Sequence, residues 1–235
     1  MKVIVTCGPS FEPVDEVRRI TNFSTGELGA LLSAAFADAG FETICLRGLA
    51  ATHPAAPAGA ELRKFTTNDD LARQLRTLGE LSDVAGVFHA AALCDYRVQR
   101  VADATGREVG GAKIASRGGA LTIQLETATK LISHLRDWFP GSLIVGWKFE
   151  LDGTPADAIG KARRQVMENR TDACVVNGRA YGDGFGFVLS PGFLGHLPDR
   201  QSLCAFLVSW LQMPAARREH VSAAIAGSPF LQTAA

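Results

Sequence analysis

The sequence predicts a single three-layer α/β domain with a mostly parallel sheet. Three observations carry that reading. β-Branched apolar runs alternate with segments of helical apolar spacing, one run is hydrophobic on both faces, and Gly, Pro and Asp punctuate the joints. At 235 residues and 47% hydrophobic, the chain can bury a core without disulfide or metal staples. Lys plus Arg number 24 and Asp plus Glu 24, so the broad positive field of a nucleic-acid binder or polybasic membrane anchor is missing. Composition excludes collagen, coiled coil and disorder, and points to a small-molecule partner, with no nucleic acid and no membrane.

The elements follow in order. Lys2-Val-Ile-Val-Thr6 is a short β-branched run closed by Cys7-Gly8-Pro9-Ser10, the pattern of a first parallel strand and its turn. Leu28, Leu31, Leu32, Ala35 and Phe36 recur at helical spacing after Thr25-Gly26, and Gly40 stands where a helix-ending glycine belongs. Phe41 to Leu46 is the second strand, and the Ala-, Pro- and Gly-rich stretch from Leu49 to Gly59 is a surface loop. Thr67-Asn68-Asp69 caps a second helix that carries Leu71, Leu75 and Leu78. Val84 to Leu93, apolar on both faces, is a central buried strand.

Residues 98–120 turn charged and Gly-rich without periodicity, which predicts a mobile lid. Beyond it come a strand at Leu121–Leu125, a helix at Ala128–Trp138, a strand at Ser142–Gly146, a helix at Pro155–Asn169 and a strand at Asp172–Asn177. Phe185–Leu189 is a late strand with an antiparallel option, and Arg200–Leu211 is the last core helix. The domain is expected to occupy 1–212, with 213–235 an alanine-rich tail dispensable for the sheet.

Cys7, Cys45, Cys94, Cys174 and Cys204 are scattered through apolar runs and read as buried reduced thiols. His53, His89, His134, His196 and His220 lie far apart and no CxxC or HExxH occurs, so no metal-ligand set is expected. Met1-Lys2 runs straight into Val3-Ile4-Val5 without a signal-peptide core, and no segment approaches the ~20 apolar residues of a membrane span. A cytoplasmic location is expected.

Ligands of an open parallel sheet bind beyond the carboxyl ends of its strands, so the loops after Thr6, Leu93, Gly146 and Asn177 should converge. The first loop is the most informative. Ser24-Thr25-Gly26 precedes the first helix and can be read as a plain N-cap or as a phosphate cradle at the positive end of the helix dipole. Favouring the cradle is a polar excursion far longer than the ~2 to 6 residues of a simple βα connection.

That loop resembles the signature of the phosphopantothenoylcysteine synthetase family, the phosphopantothenate-cysteine ligases of coenzyme A biosynthesis. Glu12, Asp15, Val17, Arg18, Ile20, Asn22, Ser24, Gly26 and Gly29 fall in register with it. Ala91-Ala92-Leu93-Cys94-Asp95-Tyr96, the pair Lys113-Ile114, Val145-Gly146-Trp147 and Asp172-Ala-Cys-Val-Val-Asn177 resemble further family blocks, so the likeness runs from Val3 to about Leu211. It implies a Rossmann-like fold that activates 4′-phosphopantothenate with CTP or ATP, CTP first in a bacterial chain, and couples it to cysteine, with Mg²⁺ on the phosphates. It also implies a homodimer and a separate flavin-dependent decarboxylase as a possible partner.

By the same resemblance Asn22 holds the acyl-nucleotide for cysteine attack and Lys113 closes over the phosphates. Gly8, Ser10, Ser24, Thr25, Gly26, Asp95 and the backbone of His89, Ala90 and Ala91 contact the nucleotide. Trp147 packs against it. Arg18 is a candidate contact for the acid, although Glu12 and Arg18 also read as a loop-bracing ion pair. Departures accompany these matches. Gln165, Asn169 and Ala115 stand where the family usually carries lysines, and Cys7-Gly8-Pro9-Ser10 replaces its Gly-Gly-Thr. Nearby Lys161, Arg163, Arg164 and Arg170 read as a solvated helix face.

Two other classes stay open: a non-catalytic relative that binds a nucleotide or pantothenate derivative, and an NADP-dependent short-chain reductase using Arg47. The reductase lacks both a GxGxxG turn and a lysine four residues after Tyr96 or Tyr181.

Overall fold

The computed structural model describes residues 1–81, 83–189 and 192–214, together with 216 and 218. The chain opens with β1 (Lys2–Cys7), a small hairpin of β2 (Phe11–Pro13) and β3 (Arg19–Thr21), α1 (Glu27–Asp38), β4 (Glu42–Gly48), β5 (Glu61–Phe65) and α2 (Asn68–Leu81). It continues through β6 (Val84–His89), a hairpin of β7 (Tyr96–Asp103) and β8 (Leu121–Thr127), a 3₁₀ turn at Leu131–His134, the short α3 (Leu135–Trp138) and β9 (Leu143–Phe149). α4 (Pro155–Asn169), β10 (Ala173–Gly178), β11 (Gly182–Leu189), β12 (Phe193–Leu197) and α5 (Arg200–Gln212) complete it.

Eight strands form the central sheet in the order β12-β11-β10-β9-β6-β1-β4-β5. The six from β10 to β5 run parallel; β11 pairs antiparallel with β10, and β12 antiparallel with β11. Alternation along each strand divides the core into two layers. Val3, Val5, Phe88, Val145 and Val175 face α1 and α5, while Ile4, Val87, Ile144, Cys174 and Val176 face α2, α3 and α4. The three-layer α/β architecture with a mostly parallel sheet is therefore present. All five cysteines are free and buried, as expected.

Four expectations are corrected. Residues 98–103 of the expected lid are strand and not aperiodic loop, because β7 pairs in antiparallel register with β8 and Arg97 faces Glu126 across it at 2.6 Å. β8 consequently belongs to this separate two-stranded hairpin and not to the main sheet. The helix expected at Ala128–Trp138 begins only at Leu131, since Ala128 N–H bonds instead to Asp95 O at 2.9 Å. β5, β12 and the β2–β3 hairpin carry too little apolar alternation to be seen. β5 reads Glu-Leu-Arg-Lys-Phe because an edge strand tolerates charge. The tail expected at 213–235 lies almost wholly outside the described residues, and so does His220.

Candidate active site

The site is built where β1, α1 and β4 come closest. Gly8 and Gly26 both adopt left-handed backbone, φ 73° and 77°, which favours glycine at the exit of β1 and the entry of α1. A Cβ on Gly26 would stand 3.1 Å from Ala51 Cβ and 3.4 Å from Gly8 Cα, so the two turns are stacked. Gly26 is itself the N-cap, and no side chain caps the helix there. Thr25 Oγ1 takes the Glu27 N–H at 3.3 Å, and Glu27 lies 3.6 Å from Arg200. At the α1 terminus the Glu27 amide is thus taken by Thr25, and the N-cap glycine puts no side chain over the amides that follow.

The first loop and the segment after β6 are knitted together. Ser10 N–H donates to Ala92 O at 3.2 Å and Ala92 N–H to Gly8 O at 3.0 Å. Asn22 Nδ2 reaches across to Leu93 O at 2.8 Å and Ala92 O at 3.4 Å, which holds its exposed amide against the loop that follows β6. Two of the four expected loops therefore converge beside the α1 terminus. The other two meet each other, Glu150 N–H donating to Asn177 O at 2.9 Å.

Several expected nucleotide contacts are committed to this knitting instead. Ser10 is fully buried and its Oγ accepts the Cys94 N–H at 2.9 Å, so its side chain is a latch between loops. Ala90 N–H bonds to Thr6 O at 3.0 Å and Ala91 N–H to Thr6 Oγ1 at 3.3 Å, so neither amide is free to donate to a ligand. The His89 ring is buried with Nδ1 2.8 Å from Thr6 Oγ1. Thr6 is a supporting partner that sequence reasoning missed, since nothing in its local pattern distinguishes it from core, and the supporting bonds of Cys94 and of the Ile114 backbone were likewise not foreseen.

Burial pushes His89 from 6.5 down to about 4. Its folded pKa lies below its unfolded value, so its contribution is complete above pH 6.5 and is lost as pH falls towards 4. Urea unfolding at pH 7 and pH 5 should show about 2 kcal/mol of stability lost through this one group. In His89→Asn most of that acid sensitivity should vanish. An unchanged slope in the variant would place the acid sensitivity elsewhere.

Arg18 and Lys113 meet through a second clamp. Asp15 Oδ1 accepts the N–H groups of Val17 at 2.9 Å and Arg18 at 2.7 Å, and Oδ2 accepts the Ile114 N–H at 3.1 Å. Arg18 Nη2 donates to Ile114 O at 2.7 Å, and Glu16 N–H bonds to Ala112 O at 3.1 Å. Burial works against the Asp15 carboxylate, but these amides and Arg18 outweigh it and hold its pKa below the usual range. Lys113, between two docked neighbours, is exposed and has no ion-pair partner among the described residues. Arg18 pairs with Asp15 at 3.6 Å rather than with Glu12. Glu12 instead accepts the Asn68 N–H at the start of α2, where burial and Asp69 raise its pKa.

Asp95 and Ser24 lie at the ends of the knitted loops, Asp95 exposed and Ser24 half-buried. Trp147 packs on the core under α1 and α5, with its buried Nε1 unpartnered among the described residues. Gln165 lies on the other side of β9, where its Nε2 meets Trp147 O at 3.2 Å and Cys174 Sγ at 3.4 Å. Asn169 bonds back to Gln165 O at 2.7 Å. Asp172, the first residue of its block, is architectural: it takes the Ile144 N–H and Arg136 Nη2, both at 2.7 Å.

The fold and these loops define an α/β protein whose β1 and β6 loops are knitted together beside the N-terminus of α1, at the carboxyl edge of a parallel sheet. The chain belongs to the DNA/pantothenate metabolism flavoprotein C-terminal domain family, which matches residues 1–189. It is 30% identical over 179 residues to the coenzyme A biosynthesis bifunctional protein CoaBC of Thermococcus kodakarensis, covering 75% of this chain and 41% of that protein. To the human phosphopantothenate–cysteine ligase it is 28% identical over 237 residues, covering 80% of this chain and 75% of that one. The chain spans less than half the length of the bifunctional relatives it matches. Among solved structures it is similar to the DNA/pantothenate metabolism flavoprotein from Streptococcus pneumoniae, with TM-score 0.79, 23% identity, and coverage of 90% of this chain and 98% of that one. A Cab2 mutant in complex with phosphopantothenate-cysteine gives TM-score 0.71 at 18% identity, covering 96% and 88%.

Proposed function

We propose that this chain ligates cysteine to 4′-phosphopantothenate at the expense of a nucleoside triphosphate, CTP or ATP. The observation that carries the reading is the Asn22 side chain anchored on Leu93 O at 2.8 Å beside the glycine-capped N-terminus of α1. It joins two blocks of the family resemblance at one point. In the first step a carboxylate oxygen bonds to the α-phosphorus while pyrophosphate leaves. In the second the cysteine amine bonds to the acyl carbon, loses a proton, and the nucleoside monophosphate departs.

Both steps move negative charge, so catalysis is mainly positioning and electrostatics. The first-turn amides of α1 with Ser24 and Thr25 receive phosphate, Lys113 supplies an exposed cation, and Asn22 orients the acyl-nucleotide. Mg²⁺ bound with the nucleotide would neutralise phosphate charge, with Asp95 contacting the nucleotide. Among the described residues no group of three or more His, Cys, Asp or Glu gathers to hold an ion. A homodimer belongs to this reading, supported by the exposed Phe23, Tyr96, Ile123 and Leu125. So do a cytoplasmic location and a separate flavin-dependent decarboxylase as partner. No helix among the described residues is long and apolar enough to cross a membrane.

A binding relative without turnover is the second reading, favoured by Gln165 and Asn169, whose amides are turned onto their own helix and strand. Pyrophosphate release with CTP or ATP, 4′-phosphopantothenate and cysteine separates the two. Release that depends on the acid is the expected result; nucleotide binding by calorimetry without release would establish the second reading.

A further inference from the structure

We infer that Cys7 and Cys45 form an oxidation site beneath α1, a thiol pair that a hydroperoxide converts reversibly to a disulfide whose closure loosens the seat of the helix. Their sulfurs lie 3.7 Å apart. The strands bring them together: β1 and β4 pair in parallel with Val5 opposite Cys45, and Cys7 is the next residue of β1 on the same face. Both thiols thus lie diagonally across one ladder, on the side of the sheet that α1 covers. Among the described residues no other two thiols come within hydrogen-bond reach. Cys94 Sγ lies by the carbonyls of Ser10 and Ile20, and Cys174 Sγ is 3.4 Å from Gln165 Nε2.

The helix leaves room for the pair. Gly29 and Ser33, one turn apart on α1, stand over it: a Cβ at Gly29 would be 3.0 Å from Cys7 Sγ, and Ser33 is fully buried beside Cys45. Arg47 stands opposite Cys7 in the ladder, is 9% exposed and has no ion-pair partner among the described residues. Its guanidinium donates to Ala55 O at 2.8 Å and to His53 O.

These neighbours favour a thiolate at one member. A thiolate on Cys45 accepts from the Cys7 thiol and is supported by the Ser33 hydroxyl and Arg47; together they outweigh burial and hold its pKa below the ordinary value. Cys7 in turn keeps its proton more tightly. Burial raises Cys94, Cys174 and Cys204 instead. Reactivity follows the thiolate, so oxidation selects Cys45. Both sulfurs are buried, which admits a small oxidant such as hydrogen peroxide.

The Cys45 thiolate attacks one peroxide oxygen and the O–O bond breaks. Hydroxide leaves, takes up the proton that the thiol had lost and becomes water, and a sulfenic acid remains. Cys7 sulfur then bonds to Cys45 sulfur and expels the sulfenic oxygen, which departs with the Cys7 proton as a second water. Closure brings the sulfurs to about 2.05 Å. Cys45 is held by strand partners on both sides, Val5 and Leu62, whereas Cys7 is paired only with Arg47, since the β1–β6 ladder ends at Thr6. Cys7 therefore takes most of the movement, and with it move the surface on which Gly29 rests and the turn at Gly8.

The test uses the full chain, reduced, treated with hydrogen peroxide, then quenched and digested. A linked Cys7–Cys45 peptide lighter by two hydrogens is the expected product, and dithiothreitol should reverse it. Hydrogen exchange in the first turns of α1 should run about tenfold faster in the oxidised chain. CTP or ATP should bind about tenfold more weakly by calorimetry, the one consequence that rests on the ligase reading. Cys45→Ala should show neither change after the same treatment. Peroxide that leaves the pair as thiols, or that reaches another cysteine first, overturns the inference, and so does a disulfide formed with α1 exchange unaltered. A reduced chain that binds neither nucleotide overturns the ligase reading alone, because the peptide map and the exchange still test the pair.

Discussion

A Gly29→Ala substitution in α1 is expected to cost about 3 kcal/mol and lower Tm by roughly 6–12 °C, with nucleotide binding lost alongside. Helix propensity alone says the reverse, since alanine is favoured over glycine in a helix by about 1 kcal/mol. Space decides the sign. A Cβ at Gly29 would fall 2.1 Å from Cys7 Cβ and 3.0 Å from its Sγ, with Cys7 Cα 3.4 Å away. These atoms belong to a buried central strand and cannot swing aside, so α1 must lift off β1, and its terminus leaves the stack of Gly8 and Gly26 with it. Gly160→Ala supplies the control. It lies inside α4 with nothing within 4 Å of the added Cβ, so it should gain up to about 1 kcal/mol. Thermal unfolding of the two variants should move in opposite directions; a Gly29→Ala protein as stable as the parent would show that the helix is not seated as described.

Asn22→Ala is expected to slow amide formation about a hundredfold while pyrophosphate release continues near the parent rate. Stability should change by only about 1 kcal/mol, because the lost hydrogen bonds lie at the surface. The asymmetry between steps is the informative part. Activation depends on the phosphate being held at α1, which Asn22 does not touch, whereas the second step depends on the acyl-nucleotide staying in line with the amine. Rapid-quench measurement of pyrophosphate and amide in one reaction reads both rates. A proportional fall in the two would assign Asn22 to closing the loop onto Leu93 and nothing more.

How far the site could be read in advance differs from residue to residue. Gly26 and Gly29 were visible because the first loop carries several matched residue types in a fixed register. The docking of Lys113 was half visible: the pair Lys113-Ile114 could be picked out, but not the Asp15 carboxylate, 99 positions away, that receives the Ile114 N–H. Ser10 and the Ala90 and Ala91 amides look like ligand groups only through the family resemblance. Here they satisfy one another across the β1–β6 junction. The charged strand β5 and the hairpin strand β7 escaped because a strand with solvent on one edge or face need not alternate.

Period, punctuation and glycine placement are local properties, so the order of residues alone determined the parallel α/β architecture, the buried thiols and the stretch where chemistry would gather. Which polar groups remain available for a ligand is a different kind of question. It depends on partners such as Asn22 and Leu93, 71 positions apart, and Lys161 and Glu150, brought from a helix and a strand. A buried donor or acceptor must be satisfied by whatever the fold places beside it. Only the tertiary structure could therefore separate the groups spent on holding the loops from those left exposed beside them.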